Sequence, residues 1–336
     1  LSLSCVARTD SFALENKNNI QMTATIKTTS KGAGGNIQPY HVKQALVGLS
    51  LDETDNTVLK YFGFFTEKIP TKAACFVHVI PFVQLFEEKN KEERQALENY
   101  DVSDEVVEGI TSKIATEIAA HQVAVKIDVE EGNPLDELLA KAEQLDADLT
   151  IIGKDTGSES HGILAKNFVR KVAGDAMLVP FFTKPKLENI LVPFDFSPNS
   201  IQALRRAVSL VKSMEKPALI TALNVYEMPS LQAFVLRRSE EEMRNILIED
   251  RREAFKTFIG NYIPKADQHL IKTAIIEQNH PGVGNLIMEY AERNNYDMIT
   301  MGARGHSKIG LLLMGSVTEK VLSCTKDIPV FIVKEQ

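Results

Sequence analysis

The chain has 336 residues, 44% hydrophobic and 25% charged, with a formal net charge of -7. That is a globular balance, long enough for two domains of ordinary size, and it argues against nucleic acid as a partner, because such binders present a basic face. No apolar run reaches the roughly 20 residues that span a bilayer, and the first forty residues lack the apolar core of a secretory leader, so the expectation is a cytoplasmic protein with no membrane partner.

Residues 1–40 are rich in Ser, Thr, Asn, Lys and Gly and show no hydrophobic period, which predicts disorder. The sequence begins with Leu1, and Met22 is a candidate start. Order is expected from the apolar run Gln44–Leu51. From there the chain repeats. The strand-turn-helix pattern beginning at Ala45 returns at Ile190, and the strand Lys72–Ile80 returns as Pro217–Tyr226. A long charged helical stretch follows in each half, and its bland reading is a solvated face. A third strand, a helix and a fourth strand then lead to a last helix and a last strand, Met177–Phe182 in one half and Ile328–Val333 in the other.

Strands alternating with helical patterns of 10–15 residues imply parallel βαβ units. Continuously apolar strands imply helices on both faces. The predicted fold class is therefore α/β, with two tandem five-stranded parallel open sheets of the Rossmann-like kind. The predicted domains are residues 41–184 and 187–336, with a linker at Pro185-Lys186.

The second half carries the chemistry. Gly302 follows the apolar strand Met298–Met301, so it lies at the carboxyl end, where open parallel sheets bind ligands. Gly302 and Gly305 allow a sharp turn and a close approach. Ser316-Val317-Thr318-Glu319 reads as a capping box opening a helix, and a helix N-terminus attracts phosphate. Arg304, His306 and Lys308 add positive charge to the same loop.

The full spacing, Gly302-x2-Gly305-x9-Gly315-Ser316, resembles the nucleotide-binding signature of the universal stress protein family. The first strand and helix around Asp195, the fourth strand with its following helix, and the last strand also look like that family. The resemblance covers residues 187–336 closely and 41–184 in strand order. It implies an adenine-nucleotide fold with ATP as ligand, with or without Mg²⁺. Asp195 would hold the ribose or the adenine edge. Pro193, Phe194 and Val225 would frame the base. Gly302, Gly305, Gly315 and Ser316 would wrap the phosphates, with Met301, Val317 and Thr318 adjacent and Arg304 on the loop. It also implies that the two halves pair through their last strands as an intramolecular pseudo-dimer; whether chains pair further is open.

The first half departs from the motif. Gly153 matches Gly302, but Thr156, Lys166 and Asn167 stand at the positions of Gly305, Gly315 and Ser316, and Ser50 at that of Asp195. Asn167 remains a candidate cap. Asp155 and Glu159 replace Arg304 and Lys308, and carboxylates oppose a polyphosphate. ATP is thus expected in the second domain and not the first.

Other chemistry has little support. P-loop, GxSxG and HExxH patterns are absent, and Pro281–Met288 reads as a strand-to-helix turn. His78 reads as a core histidine. Cys5, Cys75 and Cys324 are odd in number, lack CxxC spacing and read as reduced structural thiols. The expected function is a regulatory stress-response module, not an enzyme, in which ATP orders the Gly302–Ser316 loop for a protein partner. A slow ATPase or self-phosphorylating protein, with Ser316 or Thr318 as acceptor, and a nucleotide-free scaffold are the alternatives.

Overall fold

The structure is a computed structural model that describes residues 35–81, 102–118, 123–155, 159–229, 239–279, 282–303 and 314–334. In the first half the order is β1 (Val42–Leu49), α1 (Thr54–Lys68), β2 (Thr71–Pro81), α2 (Val102–Ile118), β3 (Ala124–Gly132), α3 (Pro134–Gln144), β4 (Leu149–Lys154), α4 (Glu159–Lys171) and β5 (Asp175–Pro180). The second half repeats it as β6 (Asn189–Pro193), α5 (Pro198–Ser213), β7 (Leu219–Tyr226), α6 (Glu240–Tyr262), β8 (Ile271–Glu277), α7 (Val283–Arg293), β9 (Met298–Gly302), α8 (Ser316–Cys324) and β10 (Val330–Val333).

The ten strands form one sheet in the order β3-β2-β1-β4-β5-β10-β9-β6-β7-β8. The two predicted sheets are thus halves of a single sheet. Every neighbouring pair is parallel except β5 and β10, which run antiparallel with Leu178 opposite Val330 and Ala176 opposite Ile332. Each last strand would otherwise expose an apolar edge, and pairing removes both edges at once.

Apolar residues alternate between the two faces. Ala45 and Val47 of β1 join one core, with α1, α2, α5 and α6; Leu46 joins the other, with α3, α4, α7 and α8. Cys75 is fully buried, and burial, reinforced by Asp128, pushes its thiol up to about 12, which suits a structural thiol. His78 is buried with a ring nitrogen 3.0 Å from the Leu49 carbonyl, as a core histidine requires. Among the described residues, no helix is long and apolar enough to cross a membrane.

The duplication extends to backbone detail. Leu51 and Phe196 both adopt φ 62° in the turn after the first strand of each half, and Asp146 and Asn295 (φ 47° and 53°) occupy matching turns before β4 and β9. Asp148 accepts the amides of Lys43 and Gln44 at 2.7 and 2.9 Å. Asp297 does the same for Glu188 and Asn189, both at 2.9 Å. One carboxylate thus satisfies two amides at the start of the first strand in each half.

Several expectations change. The segment 35–40, predicted to be disordered with the rest of residues 1–40, packs on α5: Ile37 and Tyr40 are buried, and Ser209 and Ser213 donate to the carbonyls of Gln38 and Tyr40. Residues 1–34 lie outside the described residues, as do Cys5 and much of the charged stretch before α2. The Pro185-Lys186 step is no loose tether, because Leu187 is buried and Lys186 lies 3.1 Å from Asp297.

The seam between the halves is fastened around β10. Tyr40 meets Phe331 edge-on at 5.9 Å, and the Arg206 guanidinium lies 4.9 Å above the Tyr40 ring and 2.9 Å from Asp175. Burial pushes the Asp175 carboxyl above its usual range, with Arg206 opposing. Phe331 is fully buried in this seam, so Phe331→Ala should cost about 3–5 kcal/mol. The measurement is the urea midpoint at constant m-value.

Candidate functional site

The strand order reverses between β6 and β9, and a cleft of about 300 Å³ opens beyond their carboxyl ends. That volume lies at the lower end of the range for small-molecule sites. Pro193, Phe194 and Asp195 come from the end of β6, Val225 from β7, Met301 and Gly302 from β9, and Gly315, Ser316, Val317 and Thr318 from the start of α8. Ten of the twelve sequence-predicted residues therefore meet in one place. Arg304 and Gly305 lie outside the described residues, as do His306 and Lys308.

The floor of the cleft is built by the turn after β6. The Asp195 carboxylate accepts the Ser197 amide at 3.0 Å, closing an Asx-type turn. Phe196 is thereby held in the left-handed region, a costly conformation for an aromatic residue. It is supported by ring contacts with Phe194, Phe255 and Phe258 at 5.1–5.3 Å. Ser197 then caps α5 by accepting the Ser200 amide at 3.2 Å. Asp195 itself is exposed at the cleft.

The predicted capping box does not form at Ser316. Helix α8 starts with Ser316, and its N-cap is Gly315, which has no side chain to offer. The Thr318 hydroxyl is buried and donates to the Gly302 carbonyl at 3.1 Å, while Glu319 pairs with Arg170 of the first half. With no side-chain cap, the first amides of α8 at the cleft keep the character of an anion site.

Gly302 has a packing reason that the sequence did not show. A Cβ at this position would lie 2.8 Å from the Asn199 Cβ and 3.0 Å from its carbonyl oxygen. Its bareness therefore admits α5. Gly153 has the same role, since a Cβ there would meet Thr54 of α1 at 2.7 Å. This explains why it is the one motif glycine kept in the first half.

Sequence reasoning missed Ser200, Leu223, Asn224, Val283 and Ile287 in the wall. Val283 and Ile287 are four apart on α7, a spacing that signals one helix face but not which cavity it meets. Gly282 (φ 100°) is the N-cap of α7, so the stretch from Gly282 to Met288 opens a helix as expected, while Pro281 lies outside the described residues. Asn224 is 5% exposed and donates to the Phe194 carbonyl at 2.8 Å. Among the described residues its Oδ1 has no partner, a state that usually marks a missing donor. No group of three His, Cys, Asp or Glu residues able to hold a metal occurs among the described residues.

The matching hollow in the first half is about 160 Å³ and is lined by Ser50, Asp52, His78, Gly153, Asp155 and Leu164 among others. Helix α4 begins at Glu159, about two turns before Asn167, so Asn167 lies inside the helix and does not cap it. Lysine at position 166, where the second half has glycine, favours this extension by about 1 kcal/mol. Gly157 and Thr156 lie outside the described residues.

Comparison with known proteins gives a consistent picture. Residues 186–334 match the model of the universal stress protein family. The chain is similar to a universal stress protein of Methanocaldococcus jannaschii, 29% identical over 151 residues, spanning 44% of this chain and 82% of that protein. It is similar to the stress response protein NhaX of Bacillus subtilis, 28% identical over 168 residues, spanning 44% of this chain and 98% of that protein. The fold is similar to the crystal structure of a universal stress protein from Archaeoglobus fulgidus, with a TM-score of 0.59 at 18% identity over 89% of this chain and 98% of that one.

Gly302→Ala and Gly153→Ala should each destabilise by about 1–3 kcal/mol through overpacking against α5 and α1. Thermal or urea unfolding without any ligand checks this; unchanged stability in both would remove the packing account of these glycines.

Proposed function

We propose that this chain, which carries a universal stress protein domain over residues 186–334, is a two-domain regulatory module that binds an adenine nucleotide in its second domain and not in its first. The domains are taken as residues 41–184 and 187–336. The observation that carries the proposal is the convergence of ten motif residues from four separate segments on one cleft beyond the parallel strand ends.

The residues present fit the ligand. The base would lie against Pro193, Phe194 and Val225. Asp195 would take the ribose. Ser316, Val317 and Thr318 would meet the phosphates with the first turn of α8, joined by Arg304 and Gly305. Mg²⁺ would enter on the phosphates, with Asp195 contributing through water. Met301 and Ile287 supply apolar wall.

The first half supports no such ligand. Its hollow is about half the volume, two carboxylates stand in its wall, and α4 includes Ala165 and Lys166, whose counterparts Met314 and Gly315 lie outside α8. The output would be a change in the surface around residues 302–316 when nucleotide is bound, read by a protein partner in a stress response.

Denaturing the protein after ATP saturation and removal of excess should release about one adenine nucleotide per chain. Two per chain would refute the assignment to one domain, and none, with no binding in direct titration, would refute nucleotide binding. Gly315→Lys, which copies the first half's residue, should fold normally and lose ATP binding by tenfold or more in calorimetric titration.

A further inference from the structure

We propose that Lys154 is a positioning residue for the nucleotide cleft, acting across the seam from the half that lacks the motif. It latches the C-terminal turn of α8, whose first turn closes the cleft. This role rests on the nucleotide reading of that cleft and adds its control by the other half.

Lys154 is the last residue of β4, and it is buried. Its Nζ donates to the carbonyls of Leu322, Ser323 and Thr325 at 2.9, 2.7 and 2.8 Å. Three N–H groups of an ammonium thus meet three acceptors. Leu322 and Ser323 lie among the final carbonyls of α8, which no amide within the helix can satisfy. The amine also sits at the negative end of the helix dipole.

The first half holds α8 at two further points. Arg170 of α4 pairs with Glu319, and Lys166 of α4 donates to the Ser323 hydroxyl at 3.3 Å. From its own half, α8 is tied to β9 by Thr318. The helix has nine residues and is about 13 Å long, so a shift at its C-terminal turn is carried to its first turn. The arrangement is one-sided: the residue matching Lys154 in the second half is Ala303, which has no amine to offer α4.

Burying this amine is costly. Burial pushes it down to about 8, with Lys166 and Lys326 adding repulsion and Cys324 opposing. The sequence keeps a lysine there although an apolar residue would pack without that cost. A latch on the phosphate helix accounts for it.

The test uses the full chain with Lys154→Met, which removes the charge and the donors, and Lys154→Gln, which keeps two N–H donors. Without nucleotide, hydrogen exchange should accelerate in residues 316–324 of both variants while β6 and β7 stay protected. With ATP, Kd should rise about tenfold for Met and less for Gln, at unchanged stoichiometry. Unchanged Kd and unchanged exchange in a folded variant would overturn the latch. Should the Met variant fail to fold, the Gln variant decides on the same two readouts. If the unsubstituted chain binds no ATP, the nucleotide reading has failed; exchange in α8 then shows whether Lys154 holds the helix, and no acceleration overturns that too.

Discussion

Two parallel half-sheets, each ending in an apolar strand, have apolar edges whose free backbone groups other chains could pair with. In this chain the edges satisfy each other. The short antiparallel ladder between β5 and β10 places Met177, Leu178, Val330, Phe331 and Ile332 at the centre of a ten-stranded sheet, all fully buried. The remaining cross-seam contacts depend on it. It brings Asp175 to Arg206 and Tyr40, α4 beside α8, and Lys154 under the last turn of α8.

The two halves share one architecture and differ where the fourth strand passes to the last helix. Both use the same left-handed turn after the first strand, the same carboxylate before the fourth and the same bare glycine at its end. They part after that glycine. In the second half the last helix waits until Ser316, and its uncapped first turn faces the cleft. In the first half the glycines are gone and the helix grows back to Glu159, leaving a smaller, acid-lined hollow. A helix that starts earlier gives up the exposed amides on which an anion site depends.

Glycine in this motif therefore has two separable roles. Gly302 and Gly153 are packing glycines, required by the approach of a helix to a strand end. Gly315 is different, because its loss is accompanied by a change in where a helix begins. The distinction divides the stability of the fold from the chemistry of the site, so substitutions at the two positions report on different properties.

The sequence by itself determined the strand and helix pattern, the duplication and the segments that build the cleft. Each has a local signature: apolar runs, a repeated order and a fixed glycine spacing. The resemblance of its motifs to a known family also pointed to the last strands as the contact between halves, and their apolar character agreed with that. What the sequence could not determine were relations between residues far apart in the chain. Nothing near Lys154 shows that its amine ends on carbonyls of residues 322–325, and nothing near Gly302 shows that Asn199 fills the space of its missing Cβ. The box read at Ser316 failed because Gly315 is the N-cap, the Glu319 amide bonds the Gly315 carbonyl, and the Glu319 carboxylate found a tertiary partner in Arg170. Segment 35–40 looked disordered because its order comes from α5. Local pattern fixes what a segment can become; the partner that packing delivers decides which of its hydrogen bonds are made.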